Sequence, residues 1–408
     1  MHSGYIITLD KLSQILFFIF LALLFYCLTD NEISKNNKIL KSTICFCLCV
    51  ITLVGYILPF SAAQMNLSAS GVSADKRYYE NNEQVSKPAD FRVESYDLEF
   101  SFRNDLNAVA TIKTDDFKDE YKFTLYHGYK ISKITDGNND ELNFTRDSDY
   151  LTIKNTSKSK LIKIYYHGSC DKYYSNYLSV FLPGNFAFYP IPGFNEMYST
   201  HSYSGFDDLS LPYETDFNVT VHSLKKVQCN LESSTNNEFK GKSDSLTLLS
   251  GFINCVTINK TQIYYPYFND AYNSDTINEK LETFVSKNPN IKKIFIIPDI
   301  NLEDIEFVKT FNDYMITASI DDIDRLAFVS KISANKMELY DAVNAYMNYP
   351  EYFEFLKDNS SEELQKAIPV LEEILKNDND GKKLEKINDY LIDNADDRSF
   401  SEFLCELR

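Results

Sequence analysis

Two apolar segments lie at the start of the chain, separated by a polar one. The first is uninterrupted from Ile15 to Leu28 and measures 18 residues between Leu12 and Thr29. The second extends from Ile44 to Phe60, 17 residues without a charge. At a rise of about 1.5 Å per residue, each nearly spans a hydrocarbon core of about 30 Å. The pattern therefore predicts a transmembrane helical hairpin in residues 1–63, with helices at about 12–29 and 42–61.

A cleaved signal peptide is the alternative interpretation of this segment. Lys11 precedes the first apolar run, and Ser61-Ala62-Ala63 is similar to a small-residue cleavage site. A signal peptide has a single apolar run, however, whereas here a polar link from Asp30 to Lys41 joins two runs. The second run therefore favours the hairpin.

The lysines of the polar link indicate the orientation of the hairpin. Lys35, Lys38 and Lys41 lie in the link, against Lys11, Lys76 and Arg77 on the other side. Because basic residues favour the cytoplasmic side, we expect a cytoplasmic link. The chain is then a multi-pass protein of the cell membrane with an extracellular C-terminal domain.

A polar stretch and a β-rich region follow the hairpin. Residues 64–90 are polar and predict a linker or an extended lead-in. From residue 91 to 268, apolar and polar positions alternate in segments such as Val93 to Phe102, Tyr121 to Tyr126, Tyr150 to Lys154 and Leu161 to Tyr166. Period two is typical of half-buried strands. With turn residues such as Asp136-Gly137-Asn138 between them, these segments predict an antiparallel β-sandwich or saddle.

The pattern changes between residues 269 and 408. Ile277 to Val285 predicts an amphipathic helix, and Lys293 to Ile297 and Tyr314 to Ser319 predict short buried strands. The remainder predicts helices, which span Met337 to Met347, Ser361 to Leu375, Lys382 to Ile392 and Phe400 to Leu407. Ser361 followed by two glutamates is typical of a helix N-cap. The fold class is thus an α+β multidomain membrane protein whose last region is α/β first and helical afterwards.

Charge restricts the partners of the chain. The 408 residues carry a net charge of −18, and residues outside the first 63 carry −19, since 4 of the 41 basic and 3 of the 59 acidic residues lie in that segment. Nucleic acid needs a basic face, so it is excluded as the main partner. With 30 Phe and 29 Tyr the chain has enough apolar mass for a core, which excludes disorder.

Motifs that would indicate catalysis are weak or missing. The histidines are His2, His127, His167, His201 and His222, and HExxH is absent from the sequence. A zinc peptidase of the HExxH type needs two imidazoles one helical turn apart. His167 and Cys170 have ligand-like spacing, but we interpret His167 as an ordinary, partly exposed histidine at a strand end. Gly241-Lys242-Ser243 lacks the first glycine of a phosphate-binding loop and predicts a β-turn.

Cysteine and aromatic residues leave two alternatives open. Cys229 and Cys255 lie in neighbouring strand-like segments, and either a disulfide or two free thiols is compatible with that placement. No CxxC follows residue 63, so no cysteine zinc site is predicted. The aromatic stretch from Tyr173 to Tyr203 fits either core packing, which is the commoner use, or a ligand platform.

Several of these segments resemble a known family. Val93 to Leu98, Tyr150 to Ile153, Leu161 to Gly168, Phe181 to Pro190 and Asp216 to Val221 are similar to the N-terminal β-domain of zinc aminopeptidases such as aminopeptidase N. Phe123 to Tyr129 resembles the bacterial subset in which this domain is joined to the membrane segments of ABC transporter permeases. The resemblance covers roughly residues 91–268. It implies a zincin-like domain in residues 269–408 and membrane subunits, including an ABC ATPase, as partners.

The chain departs from this family where the catalytic residues belong. The zinc helix is expected near Leu326 to Lys336, which contains no histidine, and the Gly-x-Met-Glu-Asn loop is missing. No catalytic, metal or cofactor-binding residue is therefore carried over, and no cofactor is expected. We expect a non-catalytic, peptidase-like ectodomain that works with an ABC-type permease. The alternatives are a metallo-aminopeptidase-like hydrolase using His127, His167 or Cys170, and a stand-alone surface module that binds peptide or glycan.

Overall fold

The computed structural model describes most of the chain. Described are residues 9–29, 35–57, 74–103, 105–170, 172–177, 179–199, 205–206, 209–223, 225–267, 273–297, 308–321, 323–329, 331–378, 381–393, 395–396 and 398–408. By their internal contacts they divide into a first unit, Met1–Phe307 with Phe311–Ile320, and a second unit, Val308–Thr310 with Asp321–Arg408. Each unit has its own hydrophobic core.

The elements alternate from helical to β-rich and back to helical. The helices are α1 (Leu9–Thr29), α2 (Lys35–Ile57), α3 (Ala74–Asn81), α4 (Ser274–Lys287), α5 (Ile323–Val329), α6 (Met337–Asn348), α7 (Pro350–Asn359), α8 (Glu362–Lys376), α9 (Lys382–Ile392) and α10 (Phe400–Leu407), with a 3-10 turn at Ala334–Lys336. The first strands are β1 (Val93–Phe102), β2 (Leu106–Thr114), β3 (Glu120–Thr124), β4 (Tyr129–Asp136), β5 (Phe144–Asp147), β6 (Tyr150–Lys154), β7 (Leu161–Gly168), β8 (Val180–Leu182), β9 (Ile191–Pro192), β10 (Tyr198–Ser199) and β11 (Gly205–Phe206). The later strands are β12 (Thr215–His222), β13 (Val227–Cys229), β14 (Glu232–Thr235), β15 (Glu238–Ser243), β16 (Leu248–Ser250), β17 (Ile253–Ile258), β18 (Thr261–Pro266), β19 (Lys293–Ile296), β20 (Val308–Thr310) and β21 (Tyr314–Thr317).

Helices α1 and α2 pack against each other as a pair. Each contains a segment long and apolar enough to cross a membrane, Leu12–Thr29 and Asn37–Gly55. Helix α2 begins at Lys35, so its first two turns lie in the segment expected to be the polar link. Residues 58–61, the end of the expected second helix, lie outside the described residues.

A short helix lies where the sequence indicated a linker. Helix α3 occupies residues 74–81 and has a polar composition with two consecutive tyrosines, Tyr78 and Tyr79. Tyr79 is buried in the core of the first unit. The helix is therefore held by tertiary contacts, which its sequence pattern alone does not show.

The largest sheet of the first unit has seven strands in the order β14-β15-β12-β1-β2-β7-β4. Strands β1 and β12 pair in parallel, from Ser95 opposite Asp216 to Ser101 opposite His222, whereas the other pairs are antiparallel. The sequence predicts an antiparallel sandwich or saddle, and this parallel pair departs from that prediction. The pairing joins strands more than a hundred residues apart, and a local pattern carries no signal of such register.

Smaller sheets enclose an aromatic core. A four-stranded sheet has the order β5-β6-β3-β9, and a three-stranded sheet has the order β13-β16-β8. Phe186, Phe188 and Tyr189 are fully buried, and Tyr173, Tyr174, Phe181 and Tyr198 belong to the same core. Within the described residues, the aromatic stretch thus packs the core; residues 200–203 lie outside them.

The α/β pattern expected after residue 269 begins earlier in the structure. Strands β17, β18, β19 and β21 lie side by side in that order, and β18-β19 and β19-β21 are parallel pairs. Helix α4 follows β18 in sequence and precedes β19, which is the order of a βαβ unit. Because β18 precedes residue 268, this sheet includes strands from both sides of the predicted domain boundary.

The Gly-Lys-Ser segment is not a β-turn. Gly241, Lys242 and Ser243 are the last residues of β15, which pairs with β12. The turn lies at Asn236-Asn237, where Asn237 adopts a φ of 61°. Asparagine tolerates this left-handed conformation better than most residues, so the chain reverses there.

The second unit packs helices α6 to α10 around an aliphatic core. The predicted N-cap is confirmed, since the Ser361 hydroxyl accepts a hydrogen bond from the Leu364 amide. Helices α8, α9 and α10 begin within one residue of the predicted positions. The segment from Leu326 to Lys336, where a zinc helix was considered, contains the end of α5 and a 3-10 turn.

Lys336 stabilises the end of α9 from the interior of the second unit. Its side chain is 2% exposed, and Nζ donates to the carbonyls of Tyr390 and Asp393 at 2.8 Å each. It also lies 3.9 Å from the centre of the Tyr390 ring. A cation at a helix C-terminus satisfies carbonyls that lack intrahelical partners.

We expect Lys336→Met to destabilise the second unit by about 2 kcal/mol, because one buried and one partly buried carbonyl lose a charged donor. Urea unfolding of the full chain, followed by amide exchange of α9, measures this loss. Lys386→Met on the exposed side of the same helix is the control and should change stability by less than about 0.5 kcal/mol. An unchanged opening free energy of α9 in the Lys336 variant would contradict the assignment.

Candidate functional site

The candidate site is the aspartate–histidine cluster, formed by Asp75, Tyr126, His127 and Asp149. Asp75 lies on α3, Tyr126 and His127 lie on the loop after β3, and Asp149 lies in the turn between β5 and β6. Both carboxylates are buried, with 3% and 2% of the side chain exposed. Helix α3 and two segments of the β-rich region are therefore brought to one point by the fold.

The imidazole of His127 lies between the two carboxylates. Its Nδ1 is 3.2 Å from Asp149 Oδ1, and its Nε2 is 3.9 Å from Asp75 Oδ1. Asp149 Oδ1 also accepts the His127 backbone N–H at 2.5 Å. A carboxylate at Nδ1 fixes the orientation of the ring.

Aromatic rings of α3 cover the imidazole. The Tyr78 ring stacks on His127 with 3.6 Å between centroids and 11° between planes, and Tyr79 contacts it edge-on. The Tyr126 hydroxyl donates to Asp75 Oδ1 at 2.6 Å. Helix α3 is thus attached to the His127 loop by one stack and one charge-assisted hydrogen bond.

Arg146 holds the loop that carries Tyr126 and His127. Its guanidinium donates to the carbonyls of Leu125 at 2.9 Å and Tyr126 at 2.8 Å, and also to that of Tyr129. Burial lowers the pKa of Arg146, and the charge of Asp149 partly offsets this. The group remains a cation because an arginine starts from a pKa above 12. Its fork thus donates to three carbonyls of this loop, of which that of Tyr126 also accepts the Tyr129 N–H at 2.9 Å.

The buried nucleophile candidates are held in their neutral forms. Burial raises the pKa of the Cys170 thiol well above its ordinary value, and the charge of Asp75 adds to this. Burial raises the pKa of Tyr79 and Tyr126 as well, with contributions from the nearby carboxylates. A thiol needs its thiolate for nucleophilic attack, so this environment disfavours chemistry at Cys170.

The structure separates His167 from Cys170. His167 lies at the end of β7, half-exposed as expected, and its Nδ1 is 3.4 Å from Ser132 Oγ. It lines a shallow cavity of about 400 Å³ with His222 and Tyr165, whereas Cys170 is 3% exposed in the aromatic core. The HxxC spacing therefore does not converge on one site. Among the residues that the structure describes, no group of three His, Cys, Asp or Glu side chains is arranged to hold a metal ion.

The structure also places Cys229 and Cys255, for which the sequence left a disulfide open. Cys229 is buried and Cys255 exposed, and both are free thiols, so the alternative of a disulfide is wrong. Burial raises the pKa of Cys229 to about 12. His2 and His201 lie outside the described residues.

The sequence offered no signal for the aspartate–histidine cluster as a unit. His127 was a candidate on its own, but Asp75 lies in a segment that was expected to be a linker. Asp149 follows Ser148, which has a φ of 58° and lies in the tight β5–β6 turn. A turn of this kind is the only local signal, and it does not indicate a partner 22 residues away.

The contacts of the His127 ring nitrogens indicate the role of the aspartate–histidine cluster. Asp149 engages Nδ1, Asp75 faces Nε2, and the Tyr78 ring covers one face of the imidazole. A general base needs a nitrogen that points at a substrate proton. The arrangement is suited instead to attach α3, the first described element after the hairpin, to the β-rich region.

Comparisons with known proteins find distant structural neighbours. No family model matches the chain, and no curated protein matches it. The M1 zinc metallopeptidase from Deinococcus radiodurans is 10% identical, with a TM-score of 0.39 over 59% of this chain and 64% of that chain. Yeast LTA4 hydrolase in complex with bestatin is 14% identical, with a TM-score of 0.41 over 63% of this chain and 47% of that chain.

A two-domain M1 zinc metallopeptidase mutant bound to L-tryptophan is similar at the same level. It is 10% identical, with a TM-score of 0.40 over 60% of this chain and 64% of that chain. The chain thus spans between about half and two thirds of the length of these neighbours. Two of the three are M1 zinc metallopeptidases and one is an LTA4 hydrolase, and similarity at this level carries no argument about activity.

We expect His127→Ala to loosen α3. The substitution removes the stack on Tyr78 and the neighbour of both carboxylates, so amide exchange of residues 74–81 should become faster by about tenfold or more. Hydrogen–deuterium exchange with mass spectrometry measures this change. His167→Ala, in the same region but outside the cluster, should leave α3 unchanged; equal exchange in the two variants would contradict the attachment role.

We expect Cys170 and Cys229 to resist thiol reagents at pH 8 in the folded protein. Their raised pKa values keep them protonated there, and both are buried. The exposed thiol of Cys405 should react first, and peptide mapping after labelling with iodoacetamide separates the sites. Labelling of Cys170 at the rate of Cys405 before unfolding would show that its site is open.

Proposed function

We propose that the chain is a membrane-anchored ectodomain that assembles with the membrane subunits of an ABC-type transport system and carries out no peptidase chemistry itself. The observation that carries this proposal is the outer surface of the α1–α2 pair. Phe18, Phe25 and Ile51 are 58%, 62% and 64% exposed, and most of the large apolar residues around them are exposed as well. Such a surface is costly in water and favourable in lipid.

Two spanning helices fit assembly within the membrane. A single helix is enough to display a domain on a surface, whereas a pair offers a lateral face to other membrane helices. The three lysines of the link support a cytoplasmic link and an extracellular C-terminal domain. The acidic charge outside the hairpin supports a domain that does not lie on anionic lipid.

An exposed aromatic cluster in the second unit supports a recognition role. Tyr349, Tyr352 and Phe355 are 59%, 48% and 55% exposed, and Met347 beside them is 55% exposed. The Tyr352 and Phe355 rings stack at 6.1 Å. Tyrosine, phenylalanine and methionine are enriched in the buried centres of protein interfaces, and an exposed apolar patch is typical of a binding surface.

The absence of catalysis is supported by the sequence and by the use of His127. No histidine follows His222 in the chain, and the HExxH and Gly-x-Met-Glu-Asn motifs are missing from it. The His127 imidazole has both nitrogens directed to carboxylates. The link to an ABC-type permease itself is supported by the resemblance of residues 91–268 to the bacterial subset.

The test is copurification from native membranes after mild crosslinking. We expect an ATP-binding cassette subunit and its permease partner among the recovered proteins. Tyr352→Ser with Phe355→Ser should lower their recovery by about tenfold, since buried aromatic residues contribute most to interface affinity. Phe117→Ser with Tyr267→Ser, an equally exposed pair in the first unit, is the matched control and should change recovery by less than about twofold.

Two outcomes would overturn the proposal separately. An intact complex without an ATP-binding cassette subunit removes the transporter assignment. Stoichiometric zinc in the purified full chain, together with cleavage of aminoacyl reporters, removes the non-catalytic assignment.

A further inference from the structure

A large cleft lined with lysines lies in the first unit, away from the aspartate–histidine cluster. It has a volume of about 1020 Å³ and is bounded by strands β13 to β15, the β17–β18 pair and the start of β19. Strands β14 and β17 are each at the edge of their sheet. The cleft therefore forms where two sheet edges and a third sheet come together.

The lining of the cleft is basic in a chain that is acidic. Six lysines contribute to it: Lys226, Lys240, Lys242, Lys260, Lys292 and Lys293. Only two acidic residues, Glu232 and Asp313, line it within the described part of the chain. The lining thus has four more positive than negative charges, whereas the whole sequence has a net charge of −18.

Three of these lysines have partners in the structure. Lys292 Nζ pairs with Asp313 Oδ2 at 3.0 Å, and Lys242 Nζ is 3.9 Å from Asp216 Oδ2 at the rim. Lys293 Nζ donates to the carbonyls of Cys229 at 2.8 Å and Leu231 at 2.6 Å, which holds the floor of the cleft together. Burial lowers the pKa of Lys293.

The other three lysines form no ion pair among the described residues, although Glu232 lies opposite Lys240 in the β14–β15 pairing. Lys226, Lys240 and Lys260 are exposed and form no ion pair with any carboxylate there. Concentrating like charges in one concave surface raises the local potential, and an anion relieves this repulsion. Lys226 directly precedes β13, Lys240 lies in the middle of β15 and Lys260 lies in the β17–β18 turn, so three different elements bring a lysine to the lining.

The type of donor indicates the type of anion. No arginine lines the cleft within the described residues. Lysine acts as a compact point charge and binds phosphate without the planar geometry that arginine and carboxylate share. Asn236 and Gln262 add neutral amide groups; Gln262 accepts the Tyr264 hydroxyl through Oε1, which leaves its Nε2 to donate.

We propose that this cleft binds an oligoanion that carries several phosphate groups. Three unpaired ammonium groups and two amide donors match a ligand with three or more separated oxyanions. A long nucleic acid is disfavoured because the remainder of the surface is acidic. This site is independent of whether the chain joins a transport complex.

The probe is inorganic tripolyphosphate, titrated calorimetrically into the full chain in nanodiscs of zwitterionic lipid. The test variant is K226E/K240E/K260E. The matched control is K87E/K130E/K386E, which changes the net charge equally at exposed lysines outside the cleft. We expect the test variant to weaken binding by about tenfold or more and the control by less than about threefold.

A second variant keeps the result interpretable if charge reversal disturbs folding. K226Q/K240Q/K260Q removes the charges without introducing repulsion, and it should also weaken binding by more than the control variant does. Equal losses in test and control variants would overturn the proposal, because they would reflect overall charge. Failure of the full chain to bind tripolyphosphate at low salt would overturn it as well.

The phosphate groups of the ligand can belong to lipid headgroups or to a soluble compound. Phosphatidylglycerol vesicles, used as competitors, distinguish these two sources. If the vesicles compete with tripolyphosphate for the full chain, and this competition is lost in K226Q/K240Q/K260Q, the result supports anion binding in the cleft. It then identifies the ligand as a lipid headgroup. If the vesicles do not compete and tripolyphosphate binding is retained, the result supports anion binding in the cleft and identifies the ligand as soluble.

Discussion

The irregular segment from Pro183 to Pro190 lies inside the core, and the surrounding β-structure depends on how the polar groups of its backbone are hydrogen-bonded. A buried segment outside regular secondary structure carries carbonyls that need donors. Tyr96 donates its hydroxyl to the Pro190 carbonyl, and Tyr166 donates to that of Phe188, both at 2.8 Å. Each bond contributes about 1 kcal/mol, and losing the donor would leave a buried acceptor at a greater cost. This explains why β1 and β7 place tyrosine where phenylalanine would fill the space.

The same segment connects the core to α3. The Tyr126 amide donates to the Ala187 carbonyl at 3.1 Å, and the Tyr126 ring packs on Phe186 at 5.0 Å. The hydroxyl of Tyr126 then binds Asp75 on α3. A continuous set of contacts thus extends from the buried segment through the His127 loop to the first described element after the hairpin. The connection between the two consists of packed rings and hydrogen bonds.

Local patterns predicted elements well and their partners poorly. Alternation gave β1 and β6 at their observed bounds, because buried and more exposed positions alternate along most of each strand. Helix α3 was missed because its polar sequence has no apolar stripe, and its order comes from Tyr78, Tyr79 and Asp75 meeting the loop. The parallel pairing of β1 with β12 was missed because register between distant strands leaves no local signal.

The lysine cleft was hidden from the sequence for a similar reason. Its charges come from segments spread over residues 226 to 293, each with only one or two lysines and with acidic neighbours such as Glu232 and Glu238. The single cue, Gly241-Lys242-Ser243, was interpreted as a turn, whereas it is a strand that contributes to the cleft wall. Net charge averages over a surface and conceals a concentrated patch of the opposite sign.

The contrast between an acidic surface and a basic cleft also limits the size of the ligand. A cavity of about 1020 Å³ is roughly 10 Å across, close to the Debye length of about 8 Å at physiological ionic strength. Charges of a ligand that lie within the cleft therefore interact with the lysines, while charges beyond its rim meet the acidic surroundings. Short oligoanions gain attraction with little of this repulsion, and each further unit of a long polyanion adds repulsion without a new lysine. The geometry thus favours compact ligands. Added salt should weaken the attraction between ligand and lysines within the cleft less than it weakens the repulsion between ligand and acidic residues at the exposed rim.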